Sequence, residues 1–248
     1  AVNFVLHNYL SSKLDWQNLS SKKQQHYQRV FTRYPTIAVS YGMAQDFKNL
    51  FGENVPLTTI HNPINQPEIA RLATAFVPDL AQGYIVHVGS FKPQKNHALL
   101  LQAYAQSSRR YPLVLVGKGV LEAQIRTQIA KLGLQDEVIL VGFHPNPYPF
   151  IKQARGLVLS SNFEGFALVL AEALALGVPA ISTDCPSGPS EILPAHHLVL
   201  VGDRAALTAK LNALMDNPAD FVAPFNPQFL PENVARQYVD FADATRQL

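Results

Sequence analysis

The sequence predicts an α/β protein built on a doubly wound parallel sheet, and three observations lead to that fold class. Short apolar runs alternate along the chain with amphipathic stretches, which is the pattern of βα units. The apolar runs are hydrophobic at consecutive positions rather than at every second position, so both faces of the sheet must be covered. Hydrophobic residues make up 48% of the 248 residues and charged residues only 15%, which is enough apolar material for a sizeable core.

The strands are predicted from these apolar runs. Six of them lie in the second part of the chain, at residues 84–89, 112–117, 138–142, 156–161, 178–183 and 198–201. Two strand-like runs precede them, at residues 2–6 and 36–39, and we expect the polar segment between those two, residues 11–33, to be helical.

The helices are predicted from the spacing of apolar residues. Ala98, Leu101 and Ala105 recur at helical intervals after the first of the six strands. A second helix is predicted over residues 121–132 and a third over residues 166–176, because each apolar stripe is closed by a glycine. The last helix is predicted to begin at Glu232.

Composition shifts divide the chain into three parts. A turn-rich stretch over residues 62–67 separates the first strands from the main series, and two or three strands do not make a stable sheet domain alone. Residues 1–65 are therefore expected to be the end of one domain and residues 66–230 a complete second domain. Residues 231–248 are expected to form a last helix that crosses back to the N-terminal part. We expect the Pro- and Phe-rich stretch before it to lead into that helix rather than to contact a membrane.

Several classes of function are disfavoured by what the sequence lacks. A net charge of +2 is too small for binding nucleic acid through its phosphates. A single cysteine, Cys185, excludes a disulfide framework and a thiolate zinc cluster within the chain. Neither Asp-x-Asp nor His-Glu-x-x-His occurs, and the adjacent pair His196 and His197 is expected in a solvated loop, so no metal site is predicted.

The most informative segment carries Glu164 where a strand ends and Glu172 two turns inside the next helix. A helix start presents free N–H groups and about +0.5 charge, which suits a phosphate. Because carboxylates repel phosphate, the two glutamates should contact neutral hydroxyls, as on a ribose or a sugar. The alternative is structural: Glu164 caps the helix and Glu172 pairs with a buried base.

A second candidate segment runs from residue 88 to residue 97, where a strand ends in glycine and a loop with two lysines leads into a helix. Open α/β sheets bind ligands at such strand ends. Lys95 can supply a positive charge to a diphosphate, or it can be an ordinary solvated lysine. The stretch Gly117-Lys118-Gly119 after the next strand is neither a Walker A loop nor a dinucleotide fingerprint.

Taken together, these segments resemble the retaining, sugar-nucleotide-dependent glycosyltransferases of family 4, which have the Rossmann-like GT-B fold. Glu164 and Glu172 fit the family's E-x7-E motif. Residues 88–104 fit the first βα unit of its C-terminal domain, and Gly117-Lys118-Gly119 fits the G-x-G after the next strand. Residues 177–183 and 188–193 fit the closing part, and the segments around His7, Val39 and Asn62 fit the last elements of the N-terminal domain.

The resemblance implies a role for each matching residue. Glu172 would hold the ribose hydroxyls, Glu164 the hydroxyls of the transferred sugar, and Phe143 would lie against the base. Lys95 would neutralise the diphosphate, and His7 would reach the donor sugar across the cleft. Residues of the two strand-end loops would complete the donor site: Gly89, Ser90, Gly165, Phe166, Ala167 and Leu168.

The resemblance also implies the reaction and its setting. A glycosyl group would pass from a nucleoside diphosphate sugar to a hydroxyl of a glycan or lipid-linked acceptor, with retention and without a cofactor or metal. The stretch from Thr183 to Leu193 is most similar to members that build surface polysaccharides. Such an enzyme would be cytoplasmic and could lie peripherally at a membrane.

This chain departs from the family pattern in identifiable places. Ser90 stands where the family commonly has arginine, so one phosphate-binding cation is lost unless Lys92 substitutes for it. Lys118 stands where the family usually has Asp, and Ala167 stands where it frequently has Gly. Family members also carry further N-terminal βα units before the strand that bears His7, so residues 1–65 resemble the rear of an incomplete Rossmann-like, acceptor-side domain. A second copy or another partner is then expected to cover residues 1–60. The alternatives are a non-catalytic or split-enzyme donor-binding subunit, or a GT-B epimerase or phosphorylase.

Overall fold

The computed structural model describes residues 4–12, 14–80 and 83–246. They form two parallel sheets, which define a first lobe up to residue 65 and a second lobe after it. The α/β class with parallel, helix-covered sheets that the sequence predicts is confirmed. The first residues of the predicted strand 2–6 lie outside the described part of the chain.

The first lobe holds three short parallel strands in the order β1-β2-β3. Its elements are β1 (Phe4–Leu6), α1 (Ser21–Arg33), β2 (Thr36–Ala38), α2 (Tyr41–Phe51) and β3 (Leu57–Thr59). The prediction of a continuous helix over residues 11–33 is wrong at its start. The backbone amides of Leu10 and Ser11 donate to the Asp46 carboxylate at 2.8 and 3.1 Å, which holds this segment in short 3-10 turns against α2.

The second lobe holds six parallel strands in the order β6-β5-β4-β7-β8-β9. The strands are β4 (Ile85–Val88), β5 (Leu113–Val116), β6 (Val138–Gly142), β7 (Gly156–Leu159), β8 (Ala180–Thr183) and β9 (Leu198–Val199). The helices are α3 (Gln66–Leu72), α4 (His97–Ala105), α5 (Glu122–Lys131), α6 (Tyr148–Lys152), α7 (Leu168–Ala175), α8 (Pro189–Ile192) and α9 (Arg204–Asp216). The order reverses between β4 and β7, and in open α/β sheets ligands bind at such a reversal, outside the carboxyl ends of the strands.

Both faces of this sheet are buried, which explains the continuous apolar runs. Neighbouring residues of one strand, Ile85 and Val86, belong to two different core clusters on opposite sides of the sheet. Leu211 of α9 packs in one cluster and Leu170 of α7 in the other. Alternation of hydrophobic and polar residues would have left one face in water, so the consecutive pattern is a direct consequence of this layered core.

Two predictions about loops have different outcomes. The expectation of a solvated His196–His197 loop is wrong for His197, which is fully buried with its Nδ1 2.9 Å from the carbonyl oxygen of Ala180. The Pro- and Phe-rich stretch turns inward, because Phe229 is only 2% exposed. It leads into α10 (Pro231–Arg246), whose Val234 packs against Ile37 and Ile60 of the first lobe. None of the described helices is both long and apolar enough to cross a membrane.

Candidate functional site

A cleft of about 630 Å³ opens where the strand order reverses, between the second lobe and the last loops of the first. The end of β4, the start of α7 and the loop after β1 form its walls. The residues that line it are His7, Asn8, Asn62, Val88, Gly89, Ser90, Gln94, Lys95, Glu164, Gly165, Phe166, Ala167, Leu168, Val169 and Glu172.

Lys95 and Glu164 form an ion pair inside this cleft. The Lys95 Nζ lies 2.7 Å from Glu164 Oε1, and Glu164 is only 6% exposed. The same carboxylate accepts from the Ser161 hydroxyl at 2.5 Å and from Gln94 Nε2 at 3.3 Å. Burial of a carboxylate is costly unless it is paired and hydrogen-bonded, and these three donors meet that requirement. Glu164 therefore does not cap the helix, and Lys95 is not a solvated surface lysine.

Glu172 also lines the cleft and lies inside α7. Its Oε1 accepts a hydrogen bond from the Tyr148 hydroxyl at 3.1 Å, so its partner is a phenol rather than a buried base. Burial raises the pKa of Glu172 above its ordinary value, and the Tyr148 hydrogen bond opposes that rise. The carboxylate has further acceptor positions, which suit vicinal hydroxyl groups of a ligand in the cleft.

The start of α7 forms part of the wall of the cleft. The predicted helix 166–176 is shorter at its start because Ala167 adopts a left-handed conformation (φ 59°) just before Leu168. Leu168 and Val169 both line the cleft, and the first N–H groups of a helix have no acceptor within the helix. This end of α7 therefore offers amide donors and a partial positive charge to an anion.

Gly165 sets the closeness of the two lobes at the cleft. A Cβ atom at this position would lie 2.4 Å from the backbone carbonyl oxygen of His7, a distance that real Cβ atoms do not adopt. Only glycine allows this approach. The His7 side chain is itself exposed at the cleft wall, on the loop that follows β1.

A second cavity of about 300 Å³ adjoins the cleft and shares Val88, Gly89 and Ser90 with it. Phe143 is 63% exposed at this cavity, and the Lys118 ammonium lies 5.0 Å from the centre of its ring. An exposed aromatic face next to a narrow cavity is suited to stacking with a planar ring.

The structure thus brings the sequence-predicted residues together. Ten of them line the larger cleft, and Phe143 lines the adjoining cavity. Lys92 is exposed and lines neither cavity, so it does not replace the arginine missing at Ser90. Lys95 is the one lysine or arginine among the described residues that line the cleft.

Sequence reasoning missed the residues that hold these side chains. Ser161 and Gln94 hold the Glu164 carboxylate, and Tyr148 holds Glu172. Ser161 lies three residues before Glu164, so its contact was open to prediction, whereas Tyr148 reaches Glu172 from a separate helix. Across residues 4–12, 14–80 and 83–246, no three His, Cys, Asp or Glu side chains are grouped as a metal site requires.

Comparison with known families gives a match over much of the chain. Residues 74–226 match the family described as "Glycosyl transferases group 1". A 4-alpha-N-acetylgalactosaminyltransferase of Campylobacter jejuni, named for a diphospho-undecaprenol substrate, is 36% identical over 133 residues, covering 54% of this chain and 36% of that protein. The lipopolysaccharide 1,6-galactosyltransferase of Escherichia coli K12 is 27% identical over 209 residues, covering 79% and 56%. The chain thus spans between about a third and a little over half of the length of these two relatives.

Solved structures share the fold. The apo lipopolysaccharide outer core galactosyltransferase WaaB aligns with a TM-score of 0.69 at 21% identity, covering 92% of this chain and 66% of that one. Anabaena HepE in complex with UDP and glucose aligns with a TM-score of 0.75 at 19% identity, covering 98% and 71%. Both similarities establish the GT-B arrangement of the described lobes.

Proposed function

Since the chain belongs to the group 1 glycosyl transferases, we propose that its cleft binds a nucleoside diphosphate sugar and that the protein transfers the sugar to an acceptor hydroxyl with retention, as a family 4 enzyme. The observation that carries this proposal is the arrangement of Lys95, Glu164 and Glu172 around one cleft, with an aromatic-lined cavity adjoining it. A cation, a helix N-terminus and carboxylates line this cleft, and each suits one part of such a donor: the diphosphate, the ribose or the sugar.

The nucleoside end of the donor would lie against the second lobe. The base stacks on Phe143 in the smaller cavity, and the ribose hydroxyls donate to the Glu172 carboxylate. Tyr148 holds that carboxylate in place from α6. Because Glu172 lies inside α7, the ribose is fixed relative to the helix whose N-terminus would hold the diphosphate.

The diphosphate would lie between the start of α7 and Lys95. Backbone N–H groups at Phe166 and Leu168 donate to its oxygens, and Gly89 and Ser90 at the end of β4 leave room for it. Lys95 has two ammonium hydrogens left after its bond to Glu164 and directs them to the phosphates. Negative charge grows on the diphosphate as the glycosidic bond breaks, so these donors stabilise the transition state more than the ground state.

The sugar would lie between Glu164 and the loop of His7. Glu164 is held rigidly by Lys95, Ser161 and Gln94, and it accepts hydrogen bonds from sugar hydroxyls. His7 contacts the sugar from the first lobe. These contacts orient the anomeric carbon so that the acceptor hydroxyl attacks on the side that the diphosphate leaves, which retains the configuration. The bond from the anomeric carbon to the diphosphate oxygen breaks as the bond to the acceptor oxygen forms, and the hydroxyl proton passes to the departing diphosphate.

The relatives point to a donor and acceptor class. Two relatives transfer galactosyl or N-acetylgalactosaminyl groups in lipopolysaccharide or lipid-linked glycan assembly, and HepE was solved with UDP and glucose. We therefore propose a UDP-linked hexose as the donor, a glycan on a lipid carrier as the acceptor, and surface polysaccharide biosynthesis as the setting.

Calorimetry of the chain with UDP-, GDP- and ADP-sugars tests the donor site. One class of donor is expected to bind, and Glu172→Gln and Lys95→Ala should each weaken it by about tenfold or more, the effect of a lost charged hydrogen bond. Glu122→Gln, on the exposed side of α5, is the matched control. Absence of binding to every donor would refute the donor site.

Product analysis separates transfer from other chemistries. A transferase produces a glycosylated acceptor, whereas an epimerase converts the donor with no acceptor present and a phosphorylase needs inorganic phosphate. Donor binding without turnover in the presence of lipid-linked acceptors would instead indicate a non-catalytic or split-enzyme donor-binding subunit.

We also propose that the first lobe rests on an anionic membrane surface. Lys22, His26, Arg29 and Arg33 recur at helical spacing on α1, form one exposed stripe, and lie opposite the side that packs through Phe31. No described carboxylate pairs with this stripe, whereas most other surface arginines are paired. Residues 1–65 hold six lysines and arginines against three acidic residues, so positive charge is concentrated on this lobe.

Vesicle sedimentation tests this surface. Binding to phosphatidylglycerol-containing vesicles should fall roughly 25-fold in the double variant Arg29→Gln/Arg33→Gln, since each cation near a charged bilayer contributes about a factor of five. Arg126→Gln/Lys131→Gln on α5 removes the same charge elsewhere and should bind like the wild type. Equal loss in both variants, or binding to neutral phosphatidylcholine vesicles alone, would refute the proposal.

A partner over the first lobe is a further proposal. Among the described strands, β1 pairs only with β2 and therefore has one open edge, and Val5 on it is exposed. Open edges are sites where another strand can add. Light scattering after size-exclusion chromatography should show an assembly larger than one chain, and a stable monomer would contradict this.

A further inference from the structure

The two lobes are joined by Glu191, which lies in α8 of the second lobe and contacts residues of the first. Its carboxylate accepts from the backbone N–H groups of Tyr41 and Gly42, each at 2.9 Å, and these are the first amides of α2 in the first lobe. Its Oε2 also lies 2.9 Å from His61 Nε2. A carboxylate from one lobe thus caps a helix of the other, where the helix dipole favours a negative charge.

Glu191 is held as a carboxylate by these contacts. Burial alone would raise the pKa of Glu191, but the hydrogen bonds from His61, Gly42 and Tyr41 outweigh burial and lower that pKa below its ordinary value. The group is therefore charged at neutral pH. We refer to Glu191, His61 and the amides of Tyr41 and Gly42 as the interlobe clamp.

One side of the clamp leads to the Glu164 loop. A Cβ atom on Gly42 would lie 2.5 Å from the Cα of Ser187, so α2 sits directly against this residue. The Ser187 hydroxyl in turn donates to the backbone carbonyl of Glu164. The position of α2 is therefore transmitted through one residue to the backbone of the cleft carboxylate.

The other side of the clamp leads to the start of α7. The centre of the His61 ring lies 5.2 Å from the centre of the Phe166 ring and 5.2 Å from that of the Phe229 ring. Asn62, the next residue, lines the cleft. His61 thus touches both the carboxylate that joins the lobes and the loop that would hold the diphosphate.

We propose that Glu191 is a positioning residue that sets the distance between the first-lobe wall of the cleft and the donor loops. This inference rests on the proposed donor site. In that site the base, ribose and diphosphate contact the second lobe alone, whereas the sugar also contacts His7 of the first lobe. Asn62 of that lobe lines the same cleft. Loss of the clamp lets the first lobe shift relative to the second. It therefore weakens contacts to the sugar, which need both lobes, more than contacts to the nucleotide, whose partners all belong to the second lobe.

Binding measurements with and without the sugar test this role. Calorimetry on the full chain compares UDP with UDP-glucose, GDP with GDP-mannose and ADP with ADP-glucose, and gives the ratio of the two dissociation constants in each pair. Glu191→Gln keeps the shape of the side chain but replaces one acceptor oxygen by an NH₂ group, which cannot accept from the N–H groups of α2. Gly42→Ala pushes against Ser187 without touching any donor group. Glu122→Gln is the matched control, and circular dichroism verifies that each variant is folded.

Both clamp variants should weaken binding of the nucleoside diphosphate only slightly, while the advantage of the sugar-bearing ligand falls about tenfold, the effect of one or two lost hydrogen bonds. A change in overall stability alone would weaken both ligands together or neither. Wild-type ratios in both folded variants, equal weakening of both ligands, or a wild type that gains nothing from any sugar would overturn the role of Glu191. A wild type that binds no nucleotide would overturn the proposed donor site itself.

Discussion

His97 is expected to make the protein sensitive to mild acid. It is the first residue of α4, directly after the loop of Lys95, and is only 1% exposed. Its ring packs 4.7 Å from that of His87 and 4.8 Å from that of Phe91, and within the described residues neither of its nitrogens has a hydrogen-bond partner. Burial, together with the nearby charge of Lys95, lowers the pKa of His97 to about 4.

The size of the effect follows from the difference between the folded and unfolded states. In the unfolded chain the imidazole takes up a proton near its ordinary pKa of 6.5, whereas in the folded protein the pKa of His97 is about 4. Between these values the unfolded state binds more protons, so the free energy of unfolding falls as the pH falls. The whole difference corresponds to about 3 kcal/mol, of which about 2 kcal/mol is lost between pH 7 and pH 5.

Urea denaturation followed by circular dichroism at pH 7 and pH 5 measures this loss. The wild type should lose about 2 kcal/mol more than His97→Leu over that interval, because leucine has no proton to take up. His87 is also buried, and burial rather than the nearby His97 is the largest cause of its lowered pKa, so most of its contribution is common to both proteins and cancels in the comparison. His26→Leu, on the exposed side of α1, should lose as much as the wild type. An equal loss in His97→Leu and the wild type would refute the reasoning.

Three further predictions concern the cleft. Ala167→Val should lower the free energy of unfolding by about 2 kcal/mol or more, because a β-branched residue resists a positive φ. Ala167→Gly should have a free energy of unfolding within about 1 kcal/mol of the wild type. Equal effects of the two substitutions in urea denaturation would contradict this. Gly165→Ala should lower the free energy of unfolding by about 1–3 kcal/mol and weaken donor binding in calorimetry, because its Cβ atom meets the backbone carbonyl of His7. Gly133→Ala, whose Cβ atom meets open space, should leave donor binding unchanged. Tyr148→Phe should raise the pKa of Glu172 further, because the Tyr148 hydrogen bond lowers it. Donor binding measured from pH 5 to pH 8 should therefore be lost at a higher pH than in the wild type as the pH falls. An unchanged midpoint pH of binding would count against Glu172 as the ribose acceptor.

Much of the second lobe could be predicted from the sequence because its signals are local. Each central strand is a consecutive apolar run, and burial on both faces produces such a run directly. Five of the described helices were not assigned (α2, α3, α6, α8 and α9), although three of them carry a local cap signal. Asn65 caps α3 by accepting from the amide of Glu68. Ser40 caps α2 by accepting from the amide of Met43, and Asp203 caps α9 by accepting from that of Ala206. The early 3-10 turns had no such signal, since they depend on Asp46 more than thirty residues away.

The candidate site could be predicted as a set of residues but not as a set of contacts. Glu164 and Glu172 are placed by one short motif on one helix start, so their common location follows from local spacing. The Tyr148 contact joins two helices, and the Glu191 contact joins residues from opposite lobes. Spacing within a motif carries no information about such contacts. The roles of these residues in donor binding stay predictions until the measurements above are made.

The reversal of strand order between β4 and β7 also bears on when the cleft can form during folding. Ile85 of β4 pairs on one side with Leu113 of β5, the next strand along the chain. On its other side it pairs with Gly156 of β7, which follows only after β5 and β6 in the sequence. Bringing β4 and β7 together closes a longer loop of chain than bringing β4 and β5 together, so it costs more chain entropy, and such non-local pairing slows folding. The half-sheets β4-β5-β6 and β7-β8-β9 each assemble from neighbours in sequence, and the cleft exists only once they meet. Folding intermediates that contain one half-sheet therefore carry secondary structure without a binding site, so recovery of ligand binding should lag behind recovery of helix signal during refolding.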